Sequence, residues 1–183
     1  MRIENYIFKL KGIISRIHEN FFDIKFRKYK KNYILQCLLI FACITAVMLL
    51  YELVGGVVVA SLGATSFILF VTPHTNGSRA RYVIGGYMSA VVVGSVTRAG
   101  FAYVSALDFA AQNFVLILLY AAAVAITSFI MIIANLEHPP AAALALGLTA
   151  DTSHNLTAFA ALAGVIILCV IRAVLKKHLK NLI

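Results

Sequence analysis

Apolar residues fall along this chain in long uninterrupted runs, and the polar residues collect between the runs. Five runs, at about 33–51, 55–71, 82–98, 114–134 and 156–171, approach the ~20 apolar residues that carry a helix across a hydrocarbon core of ~30 Å. A sixth stretch follows a polar break, Asn135-Leu136-Glu137-His138, and opens on Pro139-Pro140. Proline lacks a backbone N–H and clashes with the preceding turn, so a pair of prolines is excluded from a helix interior but fits the first turn. The pattern therefore predicts a helix that starts at Pro139, runs on Ala and Leu, and fades at Gly147 or within Thr149-Ala150-Asp151-Thr152-Ser153. At roughly 12 to 14 residues and 1.5 Å per residue it is about 20 Å long, shorter than the bilayer core. One of its ends then lies at membrane depth, where non-helical backbone must be buried in protein or line a wet cavity. The expected fold is an all-α polytopic membrane protein of about six hydrophobic segments, the fifth short and broken.

Composition strengthens this reading. With 62% hydrophobic residues, 13% charged residues and mean hydropathy +0.92, the chain lies outside the range of soluble domains. Cys37, Cys43 and Cys169 all lie in apolar runs without a CxxC pair, which argues against a disulfide framework or a zinc knuckle. No cleavable signal peptide is expected, because the first apolar run comes only after some thirty mixed residues.

The net charge of +9 is concentrated at the two ends. Residues 1–32 hold nine Lys or Arg against Glu4, Glu19 and Asp23, and Ile3, Ile7, Leu10, Ile14, Ile17 and Phe21 recur at helical spacing. That is the pattern of a basic amphipathic segment, lying flat in the membrane interface or packed on its own domain. Three parts are expected: this segment over 1–32, a transmembrane domain over 33–172, and a basic tail over 173–183. Anionic lipid headgroups are the partner that such ends imply, and nucleic acid is not, since the tails lack the aromatic and polar groups of a nucleic-acid groove.

Basic residues also set the orientation. If all six segments cross, the N-terminal segment, the Arg79/Arg81 loop and the C-terminal tail share one side and only Arg98 lies near the other, which the positive-inside rule assigns to the cytoplasm. A bacterial inner membrane with both termini cytoplasmic is the expected setting. Six crossing segments also allow two inverted three-helix repeats. A weak echo supports them, with Glu52 eleven positions before Gly63 and Glu137 ten before Gly147, although two Ala/Gly/Val-rich helices can match by chance.

The run His138-Pro139-Pro140, with Leu62-Gly63-Ala64-Thr65-Ser66 and Val83-Ile84-Gly85-Gly86-Tyr87, resembles the HPP family of integral membrane proteins over about 33–171. Chloroplast and cyanobacterial members are associated with nitrite transport, so the resemblance implies a transporter or channel for a small inorganic anion, most of all nitrite. The chain departs from the family at Thr75-Asn76-Gly77-Ser78-Arg79-Ala80-Arg81, where a loop with a Gln-Pro pair is usual.

Chemistry for an anion is sought at the HPP helix start. A helix N-terminus presents unpaired N–H groups and partial positive charge. Pro139 and Pro140 remove two of those donors, leaving Ala141, Ala142 and Ala143 as expected backbone donors with His138 beside them. Ser61, Thr65 and Ser66 are hydroxyl candidates from the facing segment, and Gly63 would admit close approach. Against each hydroxyl stands the ordinary role of Ser and Thr in spans, a bond to their own helix carbonyl. Glu137 has three readings: an interfacial carboxylate at a helix start, a buried proton shuttle, or the partner of His138, Arg79 or Arg81 in a gate. Glu52 has the same roles open to it.

Two other classes compete with transport. A membrane enzyme or metal site would use His74, His138, His154 and Asp151, but no HxxH or HExxH spacing occurs, and neither a metal nor a cofactor is expected. An assembly or scaffold subunit would need no polar break at membrane depth. Small-residue faces fit a homo-oligomer. The topology is testable by cysteine accessibility in intact cells: Arg79 should react from the cytoplasm and Asp108 from outside, and an external C-terminal tail would sink the six-segment arrangement.

Overall fold

The structure, a computed structural model, describes residues 24–49, 51–104, 109–151 and 154–183. The amphipathic pattern read in residues 1–23 and the position of Asp108 lie outside them. Among these described residues six α-helices occur in order: α1 (Ile24–Met48), α2 (Tyr51–Val71), α3 (Ala80–Val104), α4 (Phe109–Ile133), α5 (Pro139–Ala150) and α6 (His154–Leu175), with one 3-10 turn at Asn76–Ser78 between α2 and α3. The fold is all-helical with a short fifth helix after the HPP motif, as the apolar pattern predicts. Stretches within α1, α4 and α6 are long and apolar enough to cross a membrane, while 58–71 of α2 and all of α5 are shorter apolar stretches.

Boundaries differ where the sequence carries no breaker. The connection expected at 99–113 is far shorter, since α3 continues to Val104 and α4 begins at Phe109. Ala99, Ala102, Ala110 and Ala111 favour a helix and no proline interrupts them. α1 begins at Ile24, nine residues before the expected start of the span at Tyr33, and bends at Tyr29, whose φ of −120° and ψ of 26° are not helical.

The break between α4 and α5 is built by local rules. Asn135 adopts φ 52°, the left-handed region that asparagine tolerates, while Asn135 N–H donates to Ile132 O at 3.2 Å and Leu136 N–H to Met131 O at 2.8 Å. These two bonds are the Schellman closure of a helix C-terminus. His138 then stands at the N-cap of α5 with φ −145° and ψ 84°, its side chain making no capping hydrogen bond. The non-helical residues fit against α3 because Gly85 and Gly86 have no side chains. A Cβ on Gly85 would stand 2.7 Å from Leu136 Cδ2, and one on Gly86 would stand 2.9 Å from His138 Cβ.

Contacts along the helices give their directions. Gly85 meets Leu136, Gly86 meets Ala141 and Gly94 meets Leu148, so α3 and α5 run parallel. Ser61 bonds Pro140 and Thr65 bonds His138, so α2 and α5 run antiparallel where they cross. Asn32 donates to His178 O at 3.0 Å and Tyr33 to Leu182 O at 2.8 Å, which brings the start of α1 and the chain's C-terminus to one end. The turn at 72–79 is at the same end, because His74 N–H donates to Asn181 Oδ1 at 3.0 Å. The last residues are therefore folded onto the bundle, with Leu179 and Leu182 buried.

An exchange of α1 with α4, α2 with α5 and α3 with α6 maps most packed pairs onto packed pairs. α1–α2 becomes α4–α5, α2–α6 becomes α5–α3, and α2–α5 and α3–α6 map onto themselves. The matching helices carry a matching sequence, Leu62-Gly63-Ala64-Thr65 and Leu146-Gly147-Leu148-Thr149. Gly164 of α6 receives Leu62, and Gly94 of α3 receives Leu148. This is the arrangement expected of inverted repeats. It fails for α5–α6, a slight contact with no packed counterpart in α2–α3, and more clearly at one other place. α3 packs along α4, whereas α1 and α6 diverge around an apolar cleft of about 570 Å³ lined by Leu39, Cys43, Val47, Leu62, Gly164 and Ile167.

Close helix approach generates a prediction. A Cβ at Gly94 would lie 2.7 Å from Leu148 Cβ and 3.2 Å from Ala145 O, whereas one at Gly77 would meet nothing within 4 Å. Gly94→Ala should cost about 1–3 kcal/mol through overpacking of α3 on α5. Gly77→Ala should leave thermal unfolding in detergent near that of the wild type.

Candidate functional site

The crossing of α2, α3 and α5 buries a cluster of polar side chains. Ser61, Thr65, Tyr87 and His138 are all at most 1% exposed. Ser61 Oγ donates to Pro140 O at 2.9 Å and lies 2.8 Å from Tyr87 Oη; Thr65 Oγ1 lies 2.9 Å from Tyr87 Oη and 2.9 Å from His138 Nε2. Helix packing fixes this geometry. Gly86 draws His138 against α3 one residue before Tyr87, and the spacing of 61 and 65 puts both hydroxyls on one face of α2.

Counting protons sets the direction of every bond. Four bonds need four donated hydrogens, and the group supplies one each from Ser61, Tyr87, Thr65 and the imidazole, with none from the Pro140 carbonyl. Ser61 must give its hydrogen to Pro140, so it accepts from Tyr87. Tyr87 then accepts from Thr65, and Thr65 accepts from His138. The chain is His138 Nε2–H to Thr65, to Tyr87, to Ser61, to Pro140 O. This makes His138 the Nε2–H tautomer with Nδ1 bare, and Nδ1 is buried without a hydrogen-bond partner. The Gly77 backbone of the 76–78 turn lies against the ring.

Arg172 of α6 also reaches this turn. It is 8% exposed, and its Nη2 donates to Pro73 O and, at 3.0 Å, to Ser78 Oγ. Ser78 in turn donates to Pro73 O and Thr75 O, each at 2.9 Å. Arg172 Nε is buried with no partner, and among the described residues no carboxylate pairs with this guanidinium. A buried cation lacking a counter-ion is costly.

The sequence-selected residues divide accordingly. His138, Pro140, Ser61 and Thr65 come together. Ser66 does not join them, because its hydroxyl donates to Gly63 O at 2.8 Å on its own helix. Gly63 faces α1, where its Cβ position is 3.3 Å from Ile44 Cδ1. Pro139 is exposed and Ala142 half-buried. Ala141 is buried, but its N–H is spent on His138 O at 2.9 Å. At the α5 start the two prolines have no donor and the Ala141 N–H closes a tight turn, so fewer backbone donors are open there than a helix start usually offers.

Glu137 is exposed and has no ion-pair partner among the described residues, so the burial that a proton shuttle needs and the contact that a gate needs are both missing there. Arg79 and Arg81 are likewise exposed. Glu52 falls in the first turn of α2, with its side chain outside the described residues. Among the described residues no three His, Cys, Asp or Glu side chains converge as metal ligands would.

Tyr87 and Arg172 were not selected from sequence. Tyr87 ends a Gly-Gly pair inside an apolar run, and Arg172 stands one turn before the terminal lysines at the end of another. Each is a polar group within hydrophobic sequence, a signal for a buried partner.

The directions, packing and buried polar cluster define a polytopic helical membrane protein with a polar core near the crossing of its short helices. A family model described as HPP, transmembrane region, matches residues 27–182, and the chain belongs to that family. No curated protein and no solved structure matches it.

Tyr87 is the middle of the chain of bonds. Tyr87→Phe removes both the acceptor for Thr65 and the donor for Ser61, and should destabilise the fold by about 1–3 kcal/mol. In detergent the unfolding midpoint should fall by several degrees, and an unchanged midpoint would show that the Tyr87 bonds do not hold the crossing together.

Proposed function

We propose that the protein is a membrane transporter for a small inorganic anion, nitrite being the foremost candidate. The observation that carries this reading is Arg172: a guanidinium buried in the bundle, free at Nε, with no acidic partner among the described residues. A fixed positive charge in low dielectric is favourable only with a negative charge beside it, and a transported anion supplies one. Charge-assisted hydrogen bonds from a guanidinium suit a planar oxyanion in particular. HPP-family membership and the likeness of this packing to an inverted-repeat plan support the same reading.

We place the site at the 73–78 turn, which Arg172 holds and against which the His138 ring lies. Its end of the bundle carries both ends of the described chain and the exposed Lys28, Lys176, Lys177 and Lys180. The positive-inside rule puts that end in the cytoplasm, where anionic headgroups would meet the lysines.

Purified protein reconstituted in liposomes should take up nitrite faster than protein-free vesicles, which report the leak of nitrous acid. Arg172→Gln should lower the protein-dependent rate about tenfold or more, the loss of one charge-assisted bond of ~1.5–3 kcal/mol. Arg172→Lys, which keeps the charge, should retain part of it. Equal uptake by wild type and empty vesicles for nitrite, nitrate and chloride alike would reject the proposal.

A further inference from the structure

We propose that His138 is the proton-binding residue of this transporter, taking up one proton at Nδ1 for each anion carried; this rests on the anion-transport reading above. The proton count leaves Nε2 as a donor to Thr65 and Nδ1 as a lone pair in a fully buried ring. A neutral His138 therefore presents only an acceptor toward the turn, and an acceptor repels an anion. Adding a proton at Nδ1 turns that same position into a charged donor. None of the four bonds from His138 to Pro140 need break, because Nε2 keeps its hydrogen. The opposite tautomer would forfeit one of the four bonds.

The surrounding charges make the proton and the anion interdependent. Of the charged and titratable groups in this part of the molecule, Tyr87 of α3 lies against the ring, Cys169 of α6 lies near Tyr87, Arg172 of α6 holds the turn, and Arg79, Arg81 and Glu137 are exposed. α2 contributes the hydroxyls of Ser61 and Thr65, and α5 has no titratable side chain. A protonated His138 adds a second buried positive charge beside the turn that Arg172 holds. That charge is unfavourable in an empty site and favourable once an anion lies between the two. Each ligand then raises the other's affinity by the same factor. The proton comes from the aqueous phase on one side and leaves to that on the other. With one proton per monovalent anion, no net charge crosses.

Two measurements on full-length protein test this. In liposomes clamped with valinomycin and potassium, an inward proton gradient should speed protein-dependent nitrite uptake, while a change of membrane potential at fixed pH should not. In His138→Gln the amide can still donate to Thr65 but has no place for a proton, so the gradient should lose its effect on whatever exchange persists. Separately, 15N imidazole spectra of the wild type in bilayers should show His138 as the Nε2–H form when neutral, with its signals identified by their absence from His138→Gln. Nitrite should increase its doubly protonated fraction at fixed pH. Wild-type nitrite flux that ignores the proton gradient, or flux that follows the membrane potential, overturns the inference and leaves anion transport standing. An Nδ1–H tautomer also overturns it. Absence of any wild-type nitrite flux overturns both.

Discussion

Backbone that leaves the helical ladder between α4 and α5 must find its hydrogen bonds elsewhere, while the Glu137 side chain faces outward. That constraint governs the arrangement around them. The Schellman closure at Asn135 takes care of the end of α4, and the prolines spare α5 two donors that would otherwise need acceptors. What remains is His138, whose side chain reaches α2. Gly85 and Gly86 exist on α3 to let that backbone come close, and Tyr87, the next residue, is thereby delivered to the same hydroxyls.

The polar cluster stabilises the crossing of α2, α3 and α5 only because it is complete. In a low-dielectric interior each member left unsatisfied would cost more than the bond it replaces gains. Only Nδ1 of His138 is left over. At the other end of the same helices, Thr149 lies 2.6 Å from Thr97, a simpler version of the Thr65 contact at the corresponding position of the Leu-Gly-x-Thr sequence. The two halves thus share a packing plan while differing in polarity, and the polar richness is confined to the end that carries the basic residues.

Much of this was legible in the chain. Apolar run lengths predicted the six segments, and Pro139-Pro140 fixed the start of the short helix to the residue, because the chemistry of proline is local. His138, Ser61 and Thr65, chosen from sequence as candidate anion ligands, do come together in one cluster. The errors lie where the outcome depends on three-dimensional packing. Ser66 is one residue from Thr65 yet turns to its own helix carbonyl, and the Ala141 donor was consumed by a tight first turn. Glu137 and His138 are adjacent, and a polar residue at a break is buried or exposed according to which face of α3 meets it. Tyr87 and Arg172 gain their importance from partners 26 and 94 to 99 residues away in sequence, a relation that no local spacing encodes.

The electrostatics of the turn close the argument. Arg172 holds Pro73 and Ser78 through Nη2, so an anion approaching Nε need not compete with the bonds that fix the turn. His138 holds Thr65 through Nε2, so a proton arriving at Nδ1 need not compete with the bonds that fix the helices. In both residues one part of the side chain is structural and the other is open. This separation lets the fold keep its polar core intact through a cycle in which charges enter and leave. A site whose only donors were already committed to structure would have to unmake its own packing each time it bound an anion, at a cost of about 1–3 kcal/mol for every bond broken in the interior.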